Sequence, residues 1–325
     1  MTGVLAVAQI EKAAEVLRNG GLVAIPTETV YGLAANAEDP RAVARIFEVK
    51  GRPPTHPLIV HVGSPDQLSE WVEEVPATAK LLAEAFWPGP LTLVLRRGPR
   101  VPLEATGGLE TVAVRVPDHP VALALLAAFG GAVAAPSANR FGSVSPTTSD
   151  HVRAELGDDV DIVLDGGPCG VGVESTIVDV TGDVPTVLRP GGVTREDLEE
   201  VLGHPLTVPS ASTVRVPGQH PSHYAPRARV VLVGSDEIVT ETELAHSAGH
   251  RVGVLLPPSL AGAPVQAHAI VAIPDSLSAY ARGLFKYLRE LDEQGCDLII
   301  VSLPDEQGLG LAIANRLRRA AGPRD

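Results

Sequence analysis

Lys50 and Arg52 straddle a glycine in the stretch KGRPPTHPL (residues 50–58). Pro53, Pro54 and Pro57 stiffen this stretch, which predicts a fixed turn carrying both cations. A mobile ammonium beside a planar guanidinium suits phosphate oxygens, although a solvated surface turn uses the same residues. Lysine is scarce, four residues beside 22 arginines, which singles out Lys50. A second candidate is AIPTETVYGL (24–33), where an apolar run meets Pro26 and then Thr27, Glu28, Thr29 and Tyr31. In an extended chain, alternation sets Thr27, Thr29 and Tyr31 on one face and Glu28 and Val30 on the other. Strand propensity accounts for Thr and Tyr equally well. Pro26 and Gly32 argue against a long regular strand, and open α/β sheets bind ligands where strands end.

Two more loops join them. AAPSANRFGSVSPT (134–147) runs from small residues into Pro136, Ser137, Asn139, Ser143 and Ser145, bringing hydroxyls, an amide and backbone N–H groups near a ligand. DGGPCGVGVESTIVD (165–179) is glycine-rich and ends in Glu174, Ser175 and Thr176. It matches neither a Walker loop nor a dinucleotide fingerprint. Gly308-Leu309-Gly310 follows a strand-like run, but Ile313 stands at the third glycine position. The sequence favours a helix start there. His220 and His223 lack a third ligand nearby, so no metal site is expected. No Ser-His-Asp or Cys-His arrangement is legible.

These loops need strands to hold them. Strand-like runs occur at 22–27, 58–62, 91–97, 111–117, 132–138, 161–167, 175–180 and 186–191. Helical patterns lie between them. One spans 6–19 and stops at Gly20-Gly21, one is capped by Ser64-Pro65-Asp66-Gln67, and one starts near Thr194. Strands mixed with helices predict an α/β fold with a twisted mixed sheet and flanking helices. A Pro-, Ser- and His-rich stretch then breaks the rhythm. It reads as a linker over 207–228, too long for an idle connection. After it, apolar strands alternate with helices over 229–325, the pattern of a smaller, parallel, Rossmann-like α/β domain. The expected division is therefore 1–206, 207–228 and 229–325.

With 325 residues, 45% hydrophobic and 20% charged, the chain reads as soluble and globular, and its length favours two domains. Glu11, Lys12 and Glu15 interrupt the first apolar stretch, which reads as an amphipathic helix and not a signal peptide. No run approaches bilayer-spanning length. Two distant cysteines, Cys169 and Cys296, suggest a reducing, cytoplasmic home. The net charge is −13, and residues 1–206 hold 15 Lys and Arg against 27 Asp and Glu. Stable nucleic-acid binding is therefore not expected, and aromatics at 3% offer few stacking platforms.

PTETVYGL, KGRPPTHPLIVHV, FWPGPLTLVL, TVAVRVPDHP, AAPSAN, GVESTIVDV and LRPGG fall in order over the first two-thirds of the chain. Together they resemble the YrdC-like domain of L-threonylcarbamoyladenylate synthases. PGQHPSHYAP and the α/β pattern after it resemble the two-domain form. The hydrogenase-maturing carbamoyltransferases that also carry this domain are larger and rich in cysteine, unlike this chain. The resemblance implies a nucleotidyltransferase that joins L-threonine, bicarbonate and ATP into threonylcarbamoyl-AMP and pyrophosphate. The product would serve threonylcarbamoyladenosine modification of tRNAs reading ANN codons, through a tRNA threonylcarbamoyl transferase machinery. The resemblance makes Lys50, Arg52, Ser137 and Asn139 the catalytic core. Threonine would meet Thr29, His61, Arg115, Ala135 and Ser175. ATP would meet Arg52, His56, Thr111, Ser137, Ser145, Arg189, His223 and Tyr224, with Mg²⁺ on its phosphates. The linker departs from relatives that read PGMKYRHYAP, since Pro221 stands where an aromatic is usual. It is nonetheless expected to act as a lid that excludes water.

Overall fold

The computed structural model describes residues 7–207, 216–218 and 223–323. The chain divides into two compact units, Met1–Phe141 with Ser145–Gln219, and Gly142–Val144 with His220–Asp325. Gln219, His220, Pro221 and Ser222, central to the expected lid, lie outside the described residues.

The first unit holds a nine-stranded sheet. Its strands are β1 (Val23–Ile25), β2 (Gly32–Asn36), β3 (Ile59–His61), β4 (Leu91–Arg96), β5 (Thr111–Arg115), β6 (Val133–Ala134), β7 (Ile162–Val163), β8 (Thr176–Asp179) and β9 (Thr186–Arg189). Their order is β7-β1-β2-β6-β3-β5-β4-β8-β9. Three pairs are parallel (β1–β7, β3–β5, β4–β8) and the other five antiparallel, so the sheet is mixed as expected. Every expected strand run is present. β2 is an addition: its sequence, GLAAN, has little strand propensity and is held by antiparallel pairing with β1 and β6.

Side-chain alternation gives this sheet two unlike faces. Val60, Leu93, Leu95, Val112, Val114 and Val178 point into the main core beside Trp71, Leu82 and Trp87. On the opposite face Val23, Ile25, Ala34 and Val133 of β1, β2 and β6 pack against Val7–Arg18 and Leu125, whereas β3, β4, β5 and β8 carry there only a narrow apolar strip of Ile59, Val94, Ala113, Ile177 and Val216. By the same alternation, His61, Thr92, Thr111 and Arg115 share that second face. A sheet face that spends buried area on polar groups is where a site is to be sought.

Flanking helices follow their caps. Val7–Arg18 buries Ile10, Ala13, Ala14 and Leu17. The Ser64 capping box forms, but around a short 3₁₀ turn, Pro65–Gln67, that leads into a one-turn helix. Thr194 caps Arg195–Leu202, again with a capping box. In the second unit β10 (Arg229–Val233), β11 (Val252–Leu256), β12 (Ala269–Ala272) and β13 (Leu298–Ser302) form an all-parallel sheet, order β10-β13-β11-β12. No helix among the described residues is long and apolar enough to cross a membrane.

Candidate active site

Arg115 ends β5 and is 3% exposed. Its Nε donates to the Gly89 carbonyl (3.1 Å), Nη1 to the Thr29 hydroxyl (3.0 Å) and Nη2 to the Glu28 carboxylate (2.5 Å). A guanidinium has five N–H groups, so two remain beyond these bonds. Thr29 passes its own proton to Thr27 (2.8 Å), whose hydroxyl donates to the Val30 carbonyl (2.6 Å). Thr27 also accepts from the Thr29 and Val30 N–H groups, which closes a turn.

That turn overturns the extended stripe expected at 27–31. β1 stops at Ile25 and the chain bends, so Glu28 comes to Arg115 alongside Thr29 instead of facing away. Tyr31 leaves the group, its hydroxyl donating to the Gly167 carbonyl (2.8 Å). The physical reason is local: a threonine hydroxyl that satisfies backbone groups two and three residues on replaces the strand ladder with a turn.

His61 ends β3, directly beside Arg115 in the parallel register. Its Nδ1 lies 3.2 Å from the Ile59 carbonyl and donates to it, leaving Nε2 as an acceptor. Burial, and then the Arg115 charge, push its pKa down to about 3, so the ring is neutral at pH 7. Ala135 continues from β6, its N–H bonded to the Ile59 carbonyl (2.9 Å). Ser175 precedes β8, and its hydroxyl pairs with Thr92 (2.7 Å) and accepts from Arg189 (3.1 Å). Arg189 also bonds the Ser175 carbonyl and the Pro217 carbonyl (3.0 Å).

The cations of KGRPPTHPL are held differently from the turn expected. Lys50 is the last residue of the helix Pro40–Lys50, and Gly51, at φ 61°, stops that helix in the left-handed conformation. The Lys50 ammonium, 2% exposed, donates to the Ser137 (2.6 Å) and Asn139 (2.5 Å) carbonyls. Burial, reinforced by the charge of Arg52, holds it well below the usual lysine range. Arg52 donates to the Pro57 carbonyl (3.0 Å) and lies 5.7 Å from the Phe141 ring, which His56 meets edge-on. The Lys50 carbonyl in turn accepts from the Phe141 N–H (2.7 Å).

The Lys50 group and the Arg115 group are joined by backbone, since Ala138 donates to the Tyr31 carbonyl and Tyr31 to that of Pro146. Ser145 donates to Glu174 (2.6 Å), the neighbour of Ser175. Thr111 stands at the far end of β5, about 13 Å from Arg115 at 3.3 Å per residue. His223 and Tyr224 belong to the second unit, where Tyr224 stacks on Phe285 (5.6 Å) with Arg316 over its ring (5.1 Å). Among the described residues no group of three or more His, Cys, Asp or Glu could hold a metal ion.

Glu28 and Thr92, which the sequence did not mark for this group, contact Arg115 and Ser175. The signal for Thr92 was a lone hydroxyl within the apolar run LTLVL. For Glu28 it was Pro26 and Thr27, which announce a turn where alternation fails.

The site thus stands on a mixed sheet, with a helix-end lysine on a Ser–Asn loop and an anchored arginine. A family model described as telomere recombination, covering Sua5, YciO and YrdC, matches residues 15–191. A second, the threonylcarbamoyl-AMP synthase C-terminal domain, matches 193–322. The chain is 44% identical to a threonylcarbamoyl-AMP synthase of Pyrococcus abyssi over 97% of its length and 95% of the relative's. It is 44% identical to that of Bacillus subtilis over 97% and 94%. Against the structure of P. abyssi Sua5 complexed with L-threonine the TM-score is 0.93, at 42% identity, covering 98% and 96% of the two chains. The chain belongs to the threonylcarbamoyl-AMP synthase family, in its two-domain form.

Proposed function

We propose that this chain condenses L-threonine, bicarbonate and ATP into threonylcarbamoyl-AMP and pyrophosphate. The observation that carries the reading is the pairing of two unlike anion sites in one backbone-linked group. Arg115 has two N–H groups left to clamp a carboxylate, with the neutral His61 and the Thr29 hydroxyl beside it. Lys50 and Arg52 are buried cations on the 137–139 and 141 side, suited to phosphate oxygens. Threonine's amine and bicarbonate form a carbamate with loss of water, and an oxygen of the carbamate group attacks the α-phosphate and displaces pyrophosphate. Negative charges are thereby forced together, and preorganised donors in a dry site stabilise them. Positioning contributes much of the rate, with no covalent intermediate required.

ATP enters as its Mg²⁺ complex. That ion would sit on the phosphates and offset their charge. His56, Thr111, Ser137, Ser145 and Arg189 serve the nucleotide in this reading, and Ala135 and Ser175 the amino acid. His223 and Tyr224 join the nucleotide side on the strength of the family resemblance. The product, a labile mixed anhydride, passes to the tRNA-modifying transferase in the cytoplasm.

Pyrophosphate release by the purified protein tests this directly. It should require threonine and bicarbonate together, and serine or threonine alone should give little. Release that is indifferent to bicarbonate would sink the reading.

A further inference from the structure

Glu28 is the one charged partner of Arg115 among the described residues, and no role for it follows from the reaction as drawn so far. We propose that Glu28 is a positioning residue that fixes Arg115 and balances its charge, so that the site admits a zwitterionic amino acid in preference to a plain carboxylate. This rests on the function proposed above.

The pair is built, not incidental. Glu28 is 9% exposed and Arg115 3%. One carboxylate oxygen takes the Arg115 Nη2–H at 2.5 Å, and the other takes the Asp118 N–H at 3.0 Å. The Glu28 carbonyl accepts from Val171 at 2.7 Å, so the residue is tied at backbone and side chain alike. Three acceptors, Gly89, Thr29 and Glu28, then orient the guanidinium plane before any substrate arrives.

Charge follows from the same contacts. The Arg115–Glu28 pair sums to zero, and His61 beside it is neutral. A free amino acid also sums to zero and enters without leaving an uncompensated charge in a buried place. A plain carboxylate brings a net negative charge that the already-paired arginine does not offset. Removing the Glu28 charge would leave Arg115 a net buried cation, reversing that preference: the carboxylate would gain and the ammonium would lose.

The test uses the full-length protein, wild type, Glu28→Gln and Glu28→Asp. Three constants are measured: KM for threonine, KM for ATP, and Ki for 3-hydroxybutyrate, which is threonine without its amine. In Glu28→Gln the ratio of threonine KM to 3-hydroxybutyrate Ki should rise about ten-fold or more, the scale of one lost charge-assisted contact. The ATP KM should stay within about two-fold. Glu28→Asp, a methylene shorter, should fall between it and wild type. A merely structural role would weaken both ligands by one factor, leaving the ratio unmoved, and that result overturns the proposal. Where the glutamine variant does not fold, the aspartate variant carries the same comparison, and an unchanged ratio is again fatal. Wild-type protein without threonine-dependent turnover would sink the function itself, whereas normal turnover with an unmoved ratio sinks only the role of Glu28.

Discussion

His61 shows how much of this site is set by desolvation. The imidazole is 3% exposed, bonded through Nδ1 to Ile59 and adjacent to Arg115, so protonating it would place a second buried cation beside the first. Its pKa is accordingly about 3 in the folded protein, against about 6.5 for an exposed histidine. Between those values the unfolded chain binds a proton that the native protein does not. Stability therefore rises with pH across that window and falls as pH drops below 6.5. The expected loss attributable to His61 is about 1.4 kcal/mol per pH unit at most. Trp71 and Trp87 are the chain's two tryptophans and both lie in the first unit's core, so their fluorescence reports its unfolding. Urea midpoints at pH 7 and pH 4.5 should separate further for wild type than for His61→Gln. Equal separation would show that His61 is not the titrating group.

The strands and loops explain why these residues meet. In LRPGG, Arg189 grips the Ser175 carbonyl, and Gly191 lets the chain pass close behind it. A Cβ on Gly191 would stand 2.3 Å from the Glu174 carbonyl oxygen and 2.4 Å from the Ser175 carbon and the Thr176 nitrogen. Gly191→Ala must push this backbone aside, a strain of about 1–3 kcal/mol. The tryptophan-monitored midpoint should drop, and threonine KM should rise several-fold because Ser175 moves. An unchanged KM in a destabilised variant would separate Gly191 from the site. Strand existence was legible for β1 and β3 to β9 because β-branched runs and punctuating Gly and Pro mark them. β2 was hidden because alanines carry no such mark, and its pairing is decided by distant strands. The motif residues were found one by one, and their grouping came from the family resemblance, not from the residues' own spacing. Which polar residues share the thin-cored face depends on register, and the contact of Glu28 with Arg115 depends on a turn that strand alternation assumed away.

At the scale of the whole molecule, charge decides what the protein can hold. Among the cations of the first unit, two sets differ sharply. Arg45, Arg97, Arg100, Arg140, Arg153 and Arg195 pair with carboxylates outside the site. Lys50, Arg52, Arg115 and Arg189 are each 5% exposed or less and face the site. The first set is neutralised locally within a domain that is already acidic, so it builds no positive track for a nucleic-acid backbone. The second set is buried and is screened little by salt. Two measurements should therefore diverge from the behaviour of an RNA-binding enzyme. Fluorescently labelled tRNA titrated at 50 mM salt should show no affinity better than the non-specific range of about 10⁻⁴–10⁻⁶ M. Threonine-dependent pyrophosphate release should change less than about three-fold between 50 and 300 mM salt, since no counterions are shed from an extended polyanion. Tight tRNA binding that weakens steeply with salt would mean that the acidic surface hides a cationic path, and that the chain acts on RNA as well as on the small molecules its buried cations fit.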